Sequence, residues 1–223
     1  MGMKAPVTGG ADGPPREIPP PGKYLGICNG VYMLGTQPGY QGGEPKQQVL
    51  ISFELHKRKG PAKDGQGRPY EVGSICSFTA NVKSKLIELA GALINHTYTE
   101  EDLEEIRSGG GFDAEPLLGK VCWIDLVHEK KADGMFRDKI KSATPIDLDD
   151  EAELAQAAID NTETDHVYWD WTTGKEVPKR IGYFWERAAE NPDRKAEPAK
   201  LPGSKFSAPA MAAAGVADDD IPF

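Results

Sequence analysis

The chain has 223 residues, of which 39% are apolar and 27% charged, with a formal net charge of −9. That length suits one ordinary domain with extensions. No apolar run approaches a membrane span and no basic start leads into an apolar stretch, so the expectation is a soluble protein working in the cytoplasm, without a membrane partner. Three scattered cysteines, Cys28, Cys76 and Cys122, form no CxxC pair, which argues against a disulfide framework and fits a reducing compartment.

The charge is unevenly distributed. Residues 1–22 carry 2 basic and 2 acidic groups, residues 23–145 carry 16 of each, and residues 146–223 carry 8 basic against 17 acidic. The excess acid therefore lies C-terminal to a neutral middle. A neutral domain can still hold a local basic groove, because salt limits each charge to a reach of about 8–10 Å.

Residues 1–22 are rich in Gly and Pro and predict a disordered arm. Residues 23–34 alternate, with Leu25, Ile27, Val31 and Met33 on one parity and Tyr24, Gly26, Cys28, Gly30 and Tyr32 on the other. Residues 47–57 place Val49, Ile51, Phe53 and Leu55 on one face, with Gln48, Ser52, Glu54 and His56 mostly opposite. The stretch from Gly60-Pro61 to Gly67-Arg68-Pro69 predicts a hairpin loop, and a third strand follows over 70–80 with Val72, Cys76 and Phe78 inward. Phe53 and Phe78 lie on apolar faces and belong to the core.

The period then changes. Leu86, Leu89, Ala90, Leu93 and Ile94 predict a helix over 83–94. Thr99 and Asp102 resemble a capping box that opens a second helix, ended by Gly109-Gly110-Gly111. Strands return at 120–129, where Cys122, Ile124, Leu126 and His128 share a face, and at 135–144, where Arg137, Lys139 and Lys141 share one. Five strands with helices between the third and fourth suit a Greek-key barrel of OB type over 23–145, although other five-stranded barrels fit the same pattern.

A helix is expected over 149–160, with Asp147, Asp149, Asp150 and Glu151 capping it. Residues 166–188 hold Trp169, Trp171 and Trp185, too much aromatic surface to remain solvated. This extension (146–189) should dock on the barrel or on another copy in a homo-oligomer. Residues 190–217 are Ala, Pro, Lys and Gly and predict a flexible linker.

The chain ends Asp218-Asp219-Asp220-Ile221-Pro222-Phe223. The aspartates and terminal carboxylate suit a basic rim, Ile221 and Phe223 an apolar pocket, and Pro222 lowers the ordering penalty of docking. This hexapeptide resembles the acidic tip of bacterial single-stranded DNA-binding proteins, which docks onto replication and repair proteins. Phe112-Asp113, then Leu117-Leu118-Gly119-Lys120 through His128, look like a segment of bacteriophage single-stranded DNA-binding proteins of OB fold. The likeness is diffuse over 23–188. It implies a phage protein, acting in the bacterial host, that coats and protects single-stranded DNA in replication, recombination and repair.

Binding single strands without sequence preference needs aromatic faces for bases and cations for phosphates. Tyr24 and Tyr32 alternate with Gly26 and Gly30, so a base could lie beside a ring on a bare sheet. The alternative is a bulge at a glycine with both tyrosines packed inside. Trp123 is either exposed beside them or covered by 166–188. Lys57, Arg58 and Lys59, with Lys63 and Arg68, flank the 57–69 loop as a clamp arm. Lys83 and Lys85 begin the first helix. Lys130 and Lys131 occupy a turn before Arg137, Lys139 and Lys141. Each cluster could equally be ordinary charged surface.

No phosphate loop, GxSxG, HExxH or paired-cysteine zinc pattern occurs, so no cofactor and no enzymatic activity is expected. Two rivals share the tail. One is a decoy that fills a host tip-binding pocket without touching DNA. The other is a recruited nuclease, which would want clustered carboxylates for metal ions.

Overall fold

A computed structural model describes residues 17–37, 44–109, 111–130, 134, 136–173 and 176–178, the side chain of residue 171 excepted. The fold is mainly β. Its strands are β1 (Gly22–Gln37), β2 (Lys46–Lys57), β3 (Gly60–Pro61), β4 (Glu71–Ser77), β5 (Val121–Lys130), β6 (Phe136–Thr144) and β7 (Val167–Asp170). The helices are α1 (Lys85–Ile94), α2 (Glu100–Ser108) and α3 (Ala152–Asp160), with 3-10 turns at Glu115–Leu117 and Trp171–Thr173. No helix among the described residues is long and apolar enough to cross a membrane.

The five expected strands are β1, β2, β4, β5 and β6. Antiparallel ladders run in the order β3-β2-β1-β5-β6, and β4 joins the same edge of β2 as β3, away from β1. β4 and β6 lie against each other, but no ladder joins them among the described residues, so the sheet curls without closing. The closed five-stranded barrel of the sequence reading is corrected accordingly. α1 packs against β4, β5 and β6, and its Leu86, Leu89, Ala90 and Leu93 fill the main core with Val49, Ile51, Phe53 and Leu55 from β2.

Local signals set the helix ends. Ser84 Oγ accepts the Ile87 amide at 3.2 Å and opens α1. Asn95, at φ 56, closes it in the left-handed region, where Asn is tolerated better than most residues. Thr99 and Asp102 make the reciprocal capping box at the start of α2. The expected acidic cap of α3 is not made: Glu151 stands at the cap position without a side-chain capping bond. Its carboxylate accepts Trp123 Nε1 at 2.7 Å instead.

β1 departs most from simple alternation. It is buried on both faces from Tyr24 to Leu34. Its ladder with β2 slips between Cys28 and Gly30, so Asn29 is an inserted residue and the parity reverses there. Tyr24 and Cys28 before the bulge, and Val31 and Met33 after it, face the main core. Leu25 and Ile27 face a second cluster under α3, and Tyr32 and Leu34 face a third with Leu50 and Trp169. The bulge also changes the strand's neighbour. Gly22 to Ile27 pair with β5, whereas Gly30 to Met33 pair in parallel with β7.

Residues 17–21, assigned to the disordered arm, are part of the fold. Pro19 and Pro20 carbonyls accept His128 Nε2 at 2.9 Å and Tyr24 Oη at 2.8 Å. Residues 1–16 lie outside the described residues, as do the linker and the tail.

Candidate nucleic-acid interface

The expected stacking rings are inside. Tyr24 is 3% exposed and Tyr32 is 0% exposed. Burial also raises the Tyr24 pKa. The bulge at Asn29 assigns these two tyrosines to opposite faces, and each face is covered. Neither ring is open to a base, which corrects the sequence reading. Trp123 is half-buried, with Lys23 Nζ 4.6 Å above its ring and Glu151 on its Nε1. Among the described residues its cover is Lys23 and the start of α3, and most of 166–188 lies outside them.

The outer face of β1 and β2 is sealed along its length. α3 lies on Leu25 and Ile27 through the small side chains of Ala155 and Ala158. Trp169 and Val177 lie on Tyr32, Leu34 and Leu50. Between them, residues 163–164 lie on a buried polar strip. Glu54, fully buried, accepts His56 Nε2 at 2.7 Å, the Thr164 amide at 2.8 Å and Thr164 Oγ1 at 2.6 Å, besides the Glu163 amide. Asn29 donates to Thr164 Oγ1 at 2.7 Å and accepts from Ser52 Oγ at 2.8 Å. Burial alone would raise the Glu54 pKa, but the bonds from His56, Thr164 and the 163–164 backbone together bring it down to about 2.

The cations fall into two groups. Lys57, Arg58 and Lys59 are exposed on the tight β2–β3 turn, where Lys57 pairs with Gly60. Gly60, at φ 125, adopts a conformation that L side chains rarely take. None of the three cations makes an ion pair with another described residue. Further round the loop the charge is spent internally: Lys63 pairs with Glu163 at 2.6 Å and Arg68 with Asp64 at 2.8 Å.

The second group joins two clusters that the sequence keeps apart. Arg137, Lys139 and Lys141 are exposed along β6. Lys85 Nζ donates to the Lys141 carbonyl at 3.2 Å and to Glu88 at 2.7 Å, which brings the start of α1, with exposed Lys83, to the same strip. Lys139 and Arg137 both bond Glu129 and hold its carboxyl below the usual range, so part of this charge is neutralised. Lys130 is exposed at the end of β5, and Lys131 lies outside the described residues.

Two exposed apolar groups escaped the sequence reading. Phe136, 38% exposed, leans on His128 with ring centroids 6.4 Å apart. Ile75 is 43% exposed on β4. The available signal for Phe136 was its place between the Lys130-Lys131 turn and Arg137, where aromatic and basic residues interleave.

The remaining chemistry is sparse. All three cysteines are free and buried, and burial pushes the thiols of Cys28 and Cys76 up to about 12 and about 11, away from reactivity. No group of three or more His, Cys, Asp or Glu among the described residues could hold a metal ion. A pocket of about 220 Å³ is lined by Glu17, Asp64, Glu71 and Asp138, a lining that disfavours phosphate. Asp218, Asp219, Asp220, Ile221, Pro222 and Phe223 lie outside the described residues. No protein family and no curated protein matches this chain in sequence.

Proposed function

We propose that this chain is a non-enzymatic, sequence-tolerant single-stranded DNA-binding protein that recruits replication or repair proteins through its last six residues. On this proposal it belongs to a bacteriophage and works in the host cytoplasm. The observation that carries the proposal is the terminal hexapeptide. A solvated acidic end accounts for three aspartates, but not for Ile221, Pro222 and Phe223 at the last three positions.

The strand order supports an OB-type core. β1 pairs with β2 on one side and β5 on the other, β4 continues from β2, β6 continues from β5, and the helices fall between β4 and β5. The exposed cations of the β2–β3 turn, unpaired among the described residues, and the row along β6 suit phosphates, and Phe136, which begins β6, offers apolar surface beside that row.

The test is a titration with oligothymidylate at two salt concentrations, followed by tryptophan fluorescence. Saturable binding that weakens with salt is expected. An absence of binding in dilute buffer overturns the DNA-binding half.

Burial of Tyr24 and Tyr32 favours a second reading, a decoy that presents the tip without touching DNA. An oligonucleotide shift assay separates the two.

A further inference from the structure

The segment that seals the sheet has an unusual composition. From Ile146 to Thr173 it carries nine acidic residues and no Lys or Arg. It is therefore an anionic strand, and it lays an indole, Trp169, on the apolar patch formed by Tyr32, Leu34 and Leu50. One of its carboxylates, Glu163, takes a cation of the basic hairpin loop, Lys63, at 2.6 Å.

What lies beneath it also differs from an ordinary core. Gly30 makes room for the Tyr32 ring, which lies over it: a Cβ there would collide with Ser52 Oγ and with the ring itself. Asn29, Ser52, Glu54 and His56, each at most 5% exposed, form a polar strip in the middle of the covered face. On that strip the cover is held by hydrogen bonds that water or a ligand can replace; beside it the β1–β7 ladder and Trp169 on Tyr32, Leu34 and Leu50 hold it as well. His56 Nδ1 is buried with no hydrogen-bond partner among the described residues, so the closed arrangement leaves one polar atom unsatisfied. On the α3 side the contact is made by Ile146, Ala155 and Ala158 against Leu25 and Ile27, with Leu154 and Ile159 beside them.

We infer that residues 161–170 are an internal stand-in for a single strand: acid where phosphate would lie, Trp169 where a base would stack, seated on a DNA-binding face that opens when the Glu54–Thr164 contact breaks. This inference rests on the DNA-binding proposal above and adds the place and the gate. The incoming strand takes Lys63 from Glu163 and the Tyr32 face from Trp169. The closed protein then binds with an affinity reduced by the fraction of molecules that are open.

The test uses the full chain. Amide hydrogen exchange is followed with and without oligothymidylate, in the wild type and in Glu54→Gln. DNA should speed exchange across 161–170, while α1 and β5 keep their protection. Glu54→Gln should do the same without DNA, roughly tenfold at the Glu163 and Thr164 amides that Glu54 accepts. It should also tighten oligothymidylate binding roughly threefold or more. Trp169→Ala is the second variant, should Glu54→Gln fold poorly, and it too should bind more tightly. DNA binding that leaves 161–170 fully protected overturns the inference but spares the DNA-binding proposal. So does a freed segment with unchanged affinity. A chain that binds no oligothymidylate in any variant overturns both.

Discussion

A carboxylate removed from water ordinarily takes up a proton, because the charged form loses its hydration. Glu54 stays ionised because four donors converge on it. Its pKa falls from an ordinary 4.5 to about 2. A carboxylate with a depressed folded pKa contributes stability that is complete above the unfolded value and is lost as pH falls through the folded one. Here the window runs from 4.5 down to about 2. The contribution is on the order of 3 kcal/mol. The stability gap between wild type and Glu54→Gln, measured by urea unfolding, should therefore be largest at about pH 7 and shrink steadily below about pH 4.5. A gap of constant size across that range would show that the charge of Glu54 is irrelevant to it. Periodicity put Glu54 and His56 on the polar parity of their strand, which normally means solvent. Three of the four donors on Glu54 come from 109 or 110 residues further along the chain, and no local pattern encodes that.

At the scale of elements, legibility follows the range of the interactions. α1 was readable from the three-and-four spacing of Leu86, Leu89, Ala90, Leu93 and Ile94, and α2 from Thr99 and Asp102, which act within one turn of themselves. β2 was readable because Val49, Ile51, Phe53 and Leu55 alternate onto one face, with only Leu50 of its aliphatic residues on the other. β1 was not. Both of its parities are apolar, so alternation could not reveal where the parity turns over. The same ambiguity hid the fate of Tyr24 and Tyr32. β7 showed itself in the sequence only as aromatic density, and its parallel pairing with β1 needs the edge that β5 leaves free beyond Ile27. On the DNA-binding proposal, the β2–β3 turn carries its function in three exposed cations that make no ion pair with another described residue. Replacing Lys57, Arg58 and Lys59 together by Ala should weaken oligothymidylate binding and flatten the slope of log affinity against log salt by about two. Circular dichroism should be unchanged, since the turn is closed by Gly60 rather than by these side chains. An unaltered salt slope would remove the turn from the interface.

Across the whole molecule, the net charge of −9 misleads. Part of the acid lies on the segment that covers the sheet and part in the last six residues, while the exposed cations sit on a turn and along β6, where Arg137 and Lys139 share Glu129. The chain thus holds two anionic pieces that can meet its own basic surface. Deleting residues 218–223 should abolish retention of tip-binding replication or repair proteins. It should also strengthen DNA binding modestly, because a competitor for the cations is gone. Titrating intact and truncated chains with the same oligonucleotide measures the second effect, and equal affinities would rule out that competition. Recruitment and DNA affinity are therefore expected to respond to different cuts, one at the terminus and one at Glu54.

The extra residue at Asn29 has a further consequence for how this protein can change over generations. It acts on the strand as a phase marker, much as a codon boundary acts on a message. Substitutions near it alter single contacts. Losing one residue there would exchange Val31 and Met33 with Tyr32 and Leu34 in a single step, turning every later side chain of β1 toward the wrong neighbours. The length of β1 through this point is thus inherited as a unit, and its composition is freer to drift than its count.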